Sequence, residues 1–231
     1  MNEHKIAFIA CVNNPDTYAE SLLYLQTLSV PPGWEIETLS IEGAHSMTAG
    51  YQAAMLQSDA KYKIYMHQDV FLYHREILIE LISLFQKNPQ VGMIGLAGCW
   101  KLPASAIWWE TEQTYEHLAQ LVSPEDLKIY RQGEMEEEWK EAEAVDGFFI
   151  ATQYDFPWEE TFGGWHFYDI SQCQVFRDAG LKIAIPRQDE PWCVHECLNK
   201  ELDEEYFRWQ KVFQEWSKVR SLHKNIIMTN N

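Results

Sequence analysis

Lys63-Ile64-Tyr65-Met66-His67-Gln68-Asp69-Val70-Phe71-Leu72 is an apolar run interrupted by three polar side chains. A short segment rich in β-branched and aromatic residues reads as a buried strand, so the interruption at His67, Gln68 and Asp69 calls for an explanation. An unpaired buried carboxylate is costly, and Asp69 is expected to be paired, hydrogen-bonded or bound to a metal. In open α/β sheets the ligand crevice lies at the carboxyl ends of the strands, which makes these three residues the first site candidates. The alternative is a strand that ends at Met66 and turns; the stretch alone does not separate the two.

Upstream, Lys5 to Val12 is a continuous apolar strand ending at Asn13-Asn14-Pro15-Asp16, where Asp16 can cap a helix that turns Leu22, Leu25 and Leu28 inward. The turn Pro31-Pro32-Gly33 leads to an alternating strand, Glu35 to Ile41, and Ser46 begins a helix with Met47, Tyr51, Ala54 and Met55 on one stripe. The order β-α-β-α-β implies an α/β fold with a mostly parallel, doubly wound sheet and helices on both faces. Downstream come a helix with Ile77, Leu78, Leu81, Ile82 and Phe85 at helical spacing and an apolar strand from Val91 to Gly98.

The pattern breaks from about 103 to 143, which reads as an insertion or lid within a single domain spanning 1–231. It includes a helix opening at Ser123-Pro124-Glu125 and a solvated acidic run, Glu134 to Glu138. The sheet pattern resumes from Ala144 to Thr152. The loop Phe162-Gly163-Gly164-Trp165-His166-Phe167 then enters a helix near Tyr168-Asp169 that closes at Ala179-Gly180. A strand from Leu181 to Ile185 follows. A last helix, at about 199–221, carries Leu202, Tyr206, Trp209, Phe213 and Trp216 on a stripe that should dock on the body of the domain.

With 231 residues, 46% of them apolar, and ten Trp, the chain can bury a full core. A net charge of −17 argues against nucleic acid or an anionic membrane surface as the main partner. It leaves nucleotides open, because a divalent metal can supply the local positive charge. No segment approaches the roughly 20 apolar residues of a membrane span, and the amino terminus lacks a signal-peptide pattern, so the expected location is cytoplasmic. The odd count of five cysteines points to reduced thiols.

Three polar clusters fall at the ends of expected strands: Asn13 to Asp16, Glu42 to His45, and His67 to Asp69. In a parallel sheet these ends share one edge and converge. Mn²⁺ or Mg²⁺ takes carboxylate and phosphate oxygens, with imidazole suited to Mn²⁺, and Asp69 with His195 could supply that set. For His195 a structural role is the competing reading. Cys193, His195 and Cys197 lack the second cysteine pair that a zinc site needs. Asp169 reads equally as a helix N-cap or as a general base, and Asp146 as a turn former or a site residue. Trp108, Trp109 and Trp165 could stack on a flat ligand face or pack in the core. Neither a P-loop nor a dinucleotide fingerprint is present.

The ordered set comprises a strand ending in Asn13-Asn14, a strand ending in Glu42-Gly43, Ala49-Gly50-Tyr51-Gln52-Ala53-Ala54, His67-Gln68-Asp69, Val145-Asp146-Gly147, Gly164 to Asp169, Ala179-Gly180 and a late His195. It resembles the family 2-like glycosyltransferases of the GT-A fold, most closely a small bacterial subfamily described by likeness to a streptomycin-biosynthesis protein. The resemblance implies a metal-assisted, inverting hexosyl transfer from a nucleotide-diphosphate sugar, with UDP the first donor to try, to a saccharide or related acceptor. It also implies work in surface glycan or secondary-metabolite assembly. Under it, Asn13, Glu42, Gly50, His67, Gln68 and Asp69 would contact the sugar nucleotide, with His67 in place of the first carboxylate of Asp-x-Asp. Asp69 and His195 would hold Mn²⁺ or Mg²⁺, Asp146, Gly147 and Trp165 would face the acceptor, and Asp169 would be the base. A sugar-nucleotide-binding protein without turnover is the alternative.

Overall fold

The computed structural model describes residues 1–197 and 202–229. The first half runs β1 (Asn2–Val12), α1 (Pro15–Leu25), β2 (Glu35–Glu42), α2 (Met47–Gln57), β3 (Ala60–Met66), β4 (Val70–Leu72), α3 (Ile77–Lys87), β5 (Val91–Gly95) and β6 (Ala97–Cys99). The second half runs β7 (Thr114–Ser123), β8 (Asp126–Gln132), β9 (Trp139–Ala142), β10 (Ala144–Val145), β11 (Phe149–Thr152), α4 (Tyr168–Asp178), β12 (Lys182–Pro186), β13 (Cys193–His195) and α5 (Glu204–Thr229).

Seven strands form the main sheet in the order β2-β1-β3-β11-β5-β12-β9. The expected doubly wound α/β core is present: β1 runs parallel to β2 and β3, and β12 parallel to β5, while β11 and β9 run antiparallel to their neighbours. Alternation along each strand sends side chains to opposite faces. Ile64 and Met66 join Leu78 and Phe85 of α3 on one face, whereas Tyr65 joins Tyr51 of α2 and Phe176 of α4 on the other. On that second face α2 approaches β1 closely, since a Cβ added at Gly50 would lie 2.3 Å from Cys11 Sγ.

A second sheet, β10-β6-β7-β13-β4 with β8 on β7, stands over the carboxyl edge of the first. Three apolar runs that read as single strands each divide between the two sheets. Lys63–Leu72 splits into β3 and β4, Val91–Gly98 into β5 and β6, and Ala144–Thr152 into β10 and β11. The strand at Met66 therefore does end and turn, and it also places His67, Gln68 and Asp69 at the seam. Asp146 and Gly147 lie in the matching break between β10 and β11.

Four local expectations are corrected. The helix expected at Ser123-Pro124-Glu125 is the turn of the antiparallel β7–β8 hairpin; Leu127 and Ile129 alternate with charged residues along an exposed strand. The first helix is capped by Asn14, whose side chain accepts from the Thr17 N–H with Pro15 in the first turn, and Asp16 sits inside that turn. The last helix begins at Glu204, so Leu202 precedes it and is exposed. The expected start of that helix, at 199, lies outside the described residues. Tyr206 and Phe213 are buried, and Trp209 and Trp216 pack against the same core. The acidic run is solvated except for Met135, which is buried.

Candidate active site

The turn after β3 is short and tightly held. The His67 N–H donates to the Phe148 carbonyl at 3.0 Å, the Val70 N–H to the His67 carbonyl at 3.3 Å, and the Glu196 N–H to the Asp69 carbonyl at 2.9 Å. The last of these bonds, with the pairing of His195 to Val70, carries His195 to the seam. Asp69 Oδ1 lies 3.5 Å from His195 Nε2 and 4.0 Å from His67 Nδ1, and the two ring nitrogens are 3.4 Å apart. His67, Asp69 and His195 are the one group of potential metal ligands found among the described residues. His195 and the cysteines at 193 and 197 do not form such a group.

Asp69 Oδ1 is buried, and no described residue meets it in hydrogen-bonding geometry, as expected of a carboxylate aimed at a cation. Burial pushes its pKa up, but the two imidazoles outweigh that and hold the carboxyl below its usual value. Two imidazoles and a carboxylate are a fitting donor set for a divalent first-row cation.

These three side chains stand at the inner wall of a cleft of about 420 Å³ lined by the strand-end residues Val12, Asn13, Gly43 and Ala44 together with Met47 of α2. Gln68 braces that wall. Its Oε1 accepts from the N–H groups of both Asn13 and Asn14 at 2.9 Å, and its Nε2 donates to Asn13 Oδ1 at 2.5 Å. Of the residues expected at this cleft, Asn13, His67, Gln68, Asp69 and His195 line it. Glu42 lies exposed between the lining residues Ile41 and Gly43 without lining the cleft itself, and Gly50 is a packing position under Cys11.

A second pocket, of about 190 Å³, shares His67, Trp165, His166 and His195 with the cleft and adds Trp108, Trp109, Asp146, Tyr168, Asp169 and Tyr206. Asp169 is in the first turn of α4 but is not its cap; Phe167 occupies that place in the left-handed region, with φ 61°. Its Oδ2 accepts from the Gly147 N–H at 3.0 Å and its Oδ1 from the Ile170 N–H at 2.8 Å. Burial and the facing Asp146 carboxylate push the Asp169 carboxyl up to about 7. Asp146 is gripped by Trp108 Nε1 at 3.0 Å and by the Phe148 N–H at 3.0 Å. Trp108 is therefore a buried partner of Asp146 rather than a stacking platform, while Trp109 and Trp165 are more than 40% exposed. Gly147 lies beside this pocket, where its N–H meets Asp169.

Residues 7–216 match the family described as "Glycosyltransferase like family". The chain belongs to that family. No curated protein matches it. Among solved structures, this glycosyltransferase-like chain is similar to TarS of S. aureus, at 10% identity and TM-score 0.55, over 87% of this chain and 41% of that one. It is likewise similar to the mannosyltransferase PcManGT from Pyrobaculum calidifontis, solved with GDP-Man and Mn²⁺, at 11% identity and TM-score 0.55, over 96% and 65%. GalNAc-T7, solved with UDP, GalNAc and Mn²⁺, aligns at 8% identity and TM-score 0.58, over 89% and 45%. The chain spans less than two thirds of the length of these three, and the likeness establishes the GT-A fold. Among the described residues no helix is long and apolar enough to cross a membrane.

Three residues of the site, and Glu116, which lines neither cavity but feels the Asp146 charge, do not stand out as site residues in the sequence. His166 and Tyr206 line the second pocket. Tyr168 contacts His67 at 2.5 Å, and Glu116 of β7 has its carboxyl pushed up to about 7 by burial and by Asp146. Tyr168 adjoins Asp169 and could have been inferred from it; Glu116 lies in a segment whose strands were not anticipated.

Proposed function

We propose that this chain transfers a sugar, with inversion, from a nucleotide-diphosphate sugar to a hydroxyl of a saccharide or related acceptor, using Mn²⁺ or Mg²⁺ held by His67, Asp69 and His195. The observation that carries the reading is that those three ligands line the cleft over the strand ends and two of them, His67 and His195, also line the pocket that contains Asp169. The narrower kinship with the streptomycin-biosynthesis-like subfamily, and a role in glycan or secondary-metabolite assembly, belong to the same proposal.

When bound, the cation offsets the charge that builds on the departing diphosphate. Neither cavity is lined by a Lys or Arg among the described residues, so none of those residues brings a cationic side chain to this task. Asn13, braced by Gln68, presents a fixed edge to the nucleoside, and the glycine-bearing turn at Gly43 lets the ligand approach the backbone. Asp169 accepts the proton of the acceptor hydroxyl as its oxygen bonds to the sugar's anomeric carbon. The bond from that carbon to the diphosphate breaks on the opposite face, and the diphosphate leaves with the electron pair. A carboxyl with its pKa near 7 suits that exchange. This placement favours turnover over binding alone. PcManGT and GalNAc-T7, with a nucleotide and Mn²⁺ in their complexes, support the donor class.

Calorimetric titration of UDP, GDP and dTDP, with and without Mn²⁺, tests the reading on the wild type and on Asp69→Ala. Metal-dependent binding that Asp69→Ala abolishes is the expected result. No nucleotide binding under either condition would overturn it.

A further inference from the structure

Resting on the cation site just proposed, we propose that Tyr168 is the positioning residue that sets His67 for that site, so that one turn of α4 aligns both the cation ligands and Asp169. His67 Nε2 lies 2.5 Å from Tyr168 Oη, while its Nδ1 faces His195 Nε2 at 3.4 Å and Asp69 Oδ1 at 4.0 Å. A ring nitrogen that binds a cation must present its lone pair, so the other nitrogen carries the hydrogen. Tyr168 Oη is the acceptor for that N–H, and the contact fixes both the tautomer and the ring orientation. If the imidazole were turned over, a carbon would replace Nδ1 at the site.

The geometry this enforces suits a metal ion. The three ligand atoms form a triangle with sides of 3.4, 3.5 and 4.0 Å. A point in their plane equidistant from the corners lies about 2.1 Å from each, comparable to the roughly 2.0–2.2 Å of zinc bonds to imidazole and carboxylate and to the roughly 2.0–2.1 Å of Mg²⁺ bonds to oxygen.

Tyr168 is itself immobilised. It is buried, meets Tyr51 edge to face at 5.8 Å and Trp158 at 6.3 Å, and lies so close to Gly147 that a Cβ there would fall 2.1 Å from its hydroxyl oxygen. The next residue, Asp169, accepts from the N–H of the same Gly147. The first turn of α4 therefore bridges His67 on one side and the β10–β11 break on the other.

Titration of Mn²⁺ into the full chain, followed by electron paramagnetic resonance, tests the assignment on the wild type, His67→Ala and Tyr168→Phe. Tyr168→Phe keeps the buried ring and loses only the hydroxyl. Its Mn²⁺ dissociation constant is expected to rise about 10- to 100-fold, the usual effect of losing a partner that orients a metal ligand. Pulsed spectra of bound Mn²⁺ should contain two imidazole ¹⁴N couplings in the wild type and one in both variants. The metal-free thermal midpoint checks the fold, and Tyr168→Met repeats the test, with the same outcomes expected, if the phenylalanine variant does not fold. Wild-type affinity and both nitrogen couplings in Tyr168→Phe would overturn the role of Tyr168 and leave the cation site standing. Absence of Mn²⁺ binding in the wild type would overturn both.

Discussion

The cleft over the strand ends and the aromatic pocket beside it share His67, Trp165, His166 and His195, yet their remaining walls come from different kinds of chain. The cleft takes its walls from the ends of β1 and β2, the start of α2 and the turn after β3, which a parallel sheet brings to one edge by topology alone. Its candidate metal ligands are one carboxylate and two imidazoles, Asp69, His67 and His195. The pocket takes Asp146 from a break between sheets, Asp169 from a helix whose cap is a left-handed Phe167, Trp108 and Trp109 from the 103–143 region, and Tyr206 from α5. Among the described residues, its lining holds two carboxylates and no Lys or Arg. The division corresponds to the two tasks proposed: the cleft gathers a cation and a nucleotide, and the pocket keeps a base poised.

If the cavities divide the work in this way, two substitutions should separate it. Asp169→Asn is expected to lower the transfer rate about 10²- to 10⁴-fold, the usual contribution of a proton-transfer group, while leaving metal-dependent nucleotide binding intact. Asp69→Ala should instead remove the metal-dependent binding, and the transfer with it. Steady-state rates and calorimetry on both variants check this. Loss of nucleotide binding in Asp169→Asn would mean that the cavities are not functionally distinct.

The same division governs what could be read from the sequence. β1, β2, β3, α2 and α3 were legible because their apolar periods are local and uninterrupted, and the convergence of Asn13, His67 and Asp69 follows from parallel order. The β7–β8 hairpin was not, because Ser123-Pro124-Glu125 can open a helix as readily as a turn, and the pairing of β7 with β6 and β13 is a long-range choice. Nor could the splitting of Lys63–Leu72, Val91–Gly98 and Ala144–Thr152 between two sheets be seen in their hydropathy, since a buried strand and a buried bend are both apolar. Only the polar interruptions at His67–Asp69 and Asp146 marked two of the three breaks. The packing role of Gly50 and the Trp108–Asp146 bond depend on tertiary contacts that no local pattern records.

A smaller effect is expected at the point where the pocket meets the first turn of α4. Gly147→Ala would place a methyl group 2.1 Å from Tyr168 Oη and 2.5 Å from its ring carbon Cζ, both in a buried, ordered ring. Overpacking of this kind typically costs about 1–3 kcal/mol. For a chain of this size each kcal/mol lowers the thermal midpoint by roughly 2–4 °C. Scanning calorimetry on the variant measures it, and an unchanged midpoint would show that Tyr168 is not as fixed as its contacts indicate.

The pH dependence of the rate sharpens the role of Asp146. Asp169 must be deprotonated to accept a proton, so the rate should rise with pH through a limb near 7, the value to which its carboxyl is pushed. Asp146 contributes to that elevation. Asp146→Asn removes a facing negative charge, lowers the Asp169 pKa and should move the limb to lower pH. A limb that stays in place would separate the two carboxylates electrostatically.

The elevated Asp169 carboxyl also carries a stability signature, the smallest effect expected here and one that needs no substrate. Its ordinary value is 3.8, and the fold raises it to about 7, so between those values the folded protein keeps a proton that the unfolded chain releases. The unfolded state therefore binds fewer protons in that window, and stability falls as pH rises through it. Below 3.8 both states are protonated and the penalty vanishes; above 7 both are ionised and it is constant. Asparagine does not titrate, so Asp169→Asn should be no more stable relative to the wild type at low pH and progressively more stable as pH climbs from about 4 to about 7. Thermal midpoints of the two metal-free proteins at pH 4.5 and pH 8 test this. A difference that grows with pH would place at Asp169 a carboxylate kept ionisable at a cost to the fold, as expected where stability is given up for activity. A difference independent of pH would mean that the carboxyl titrates alike in both states and that the pocket does not hold it near neutrality.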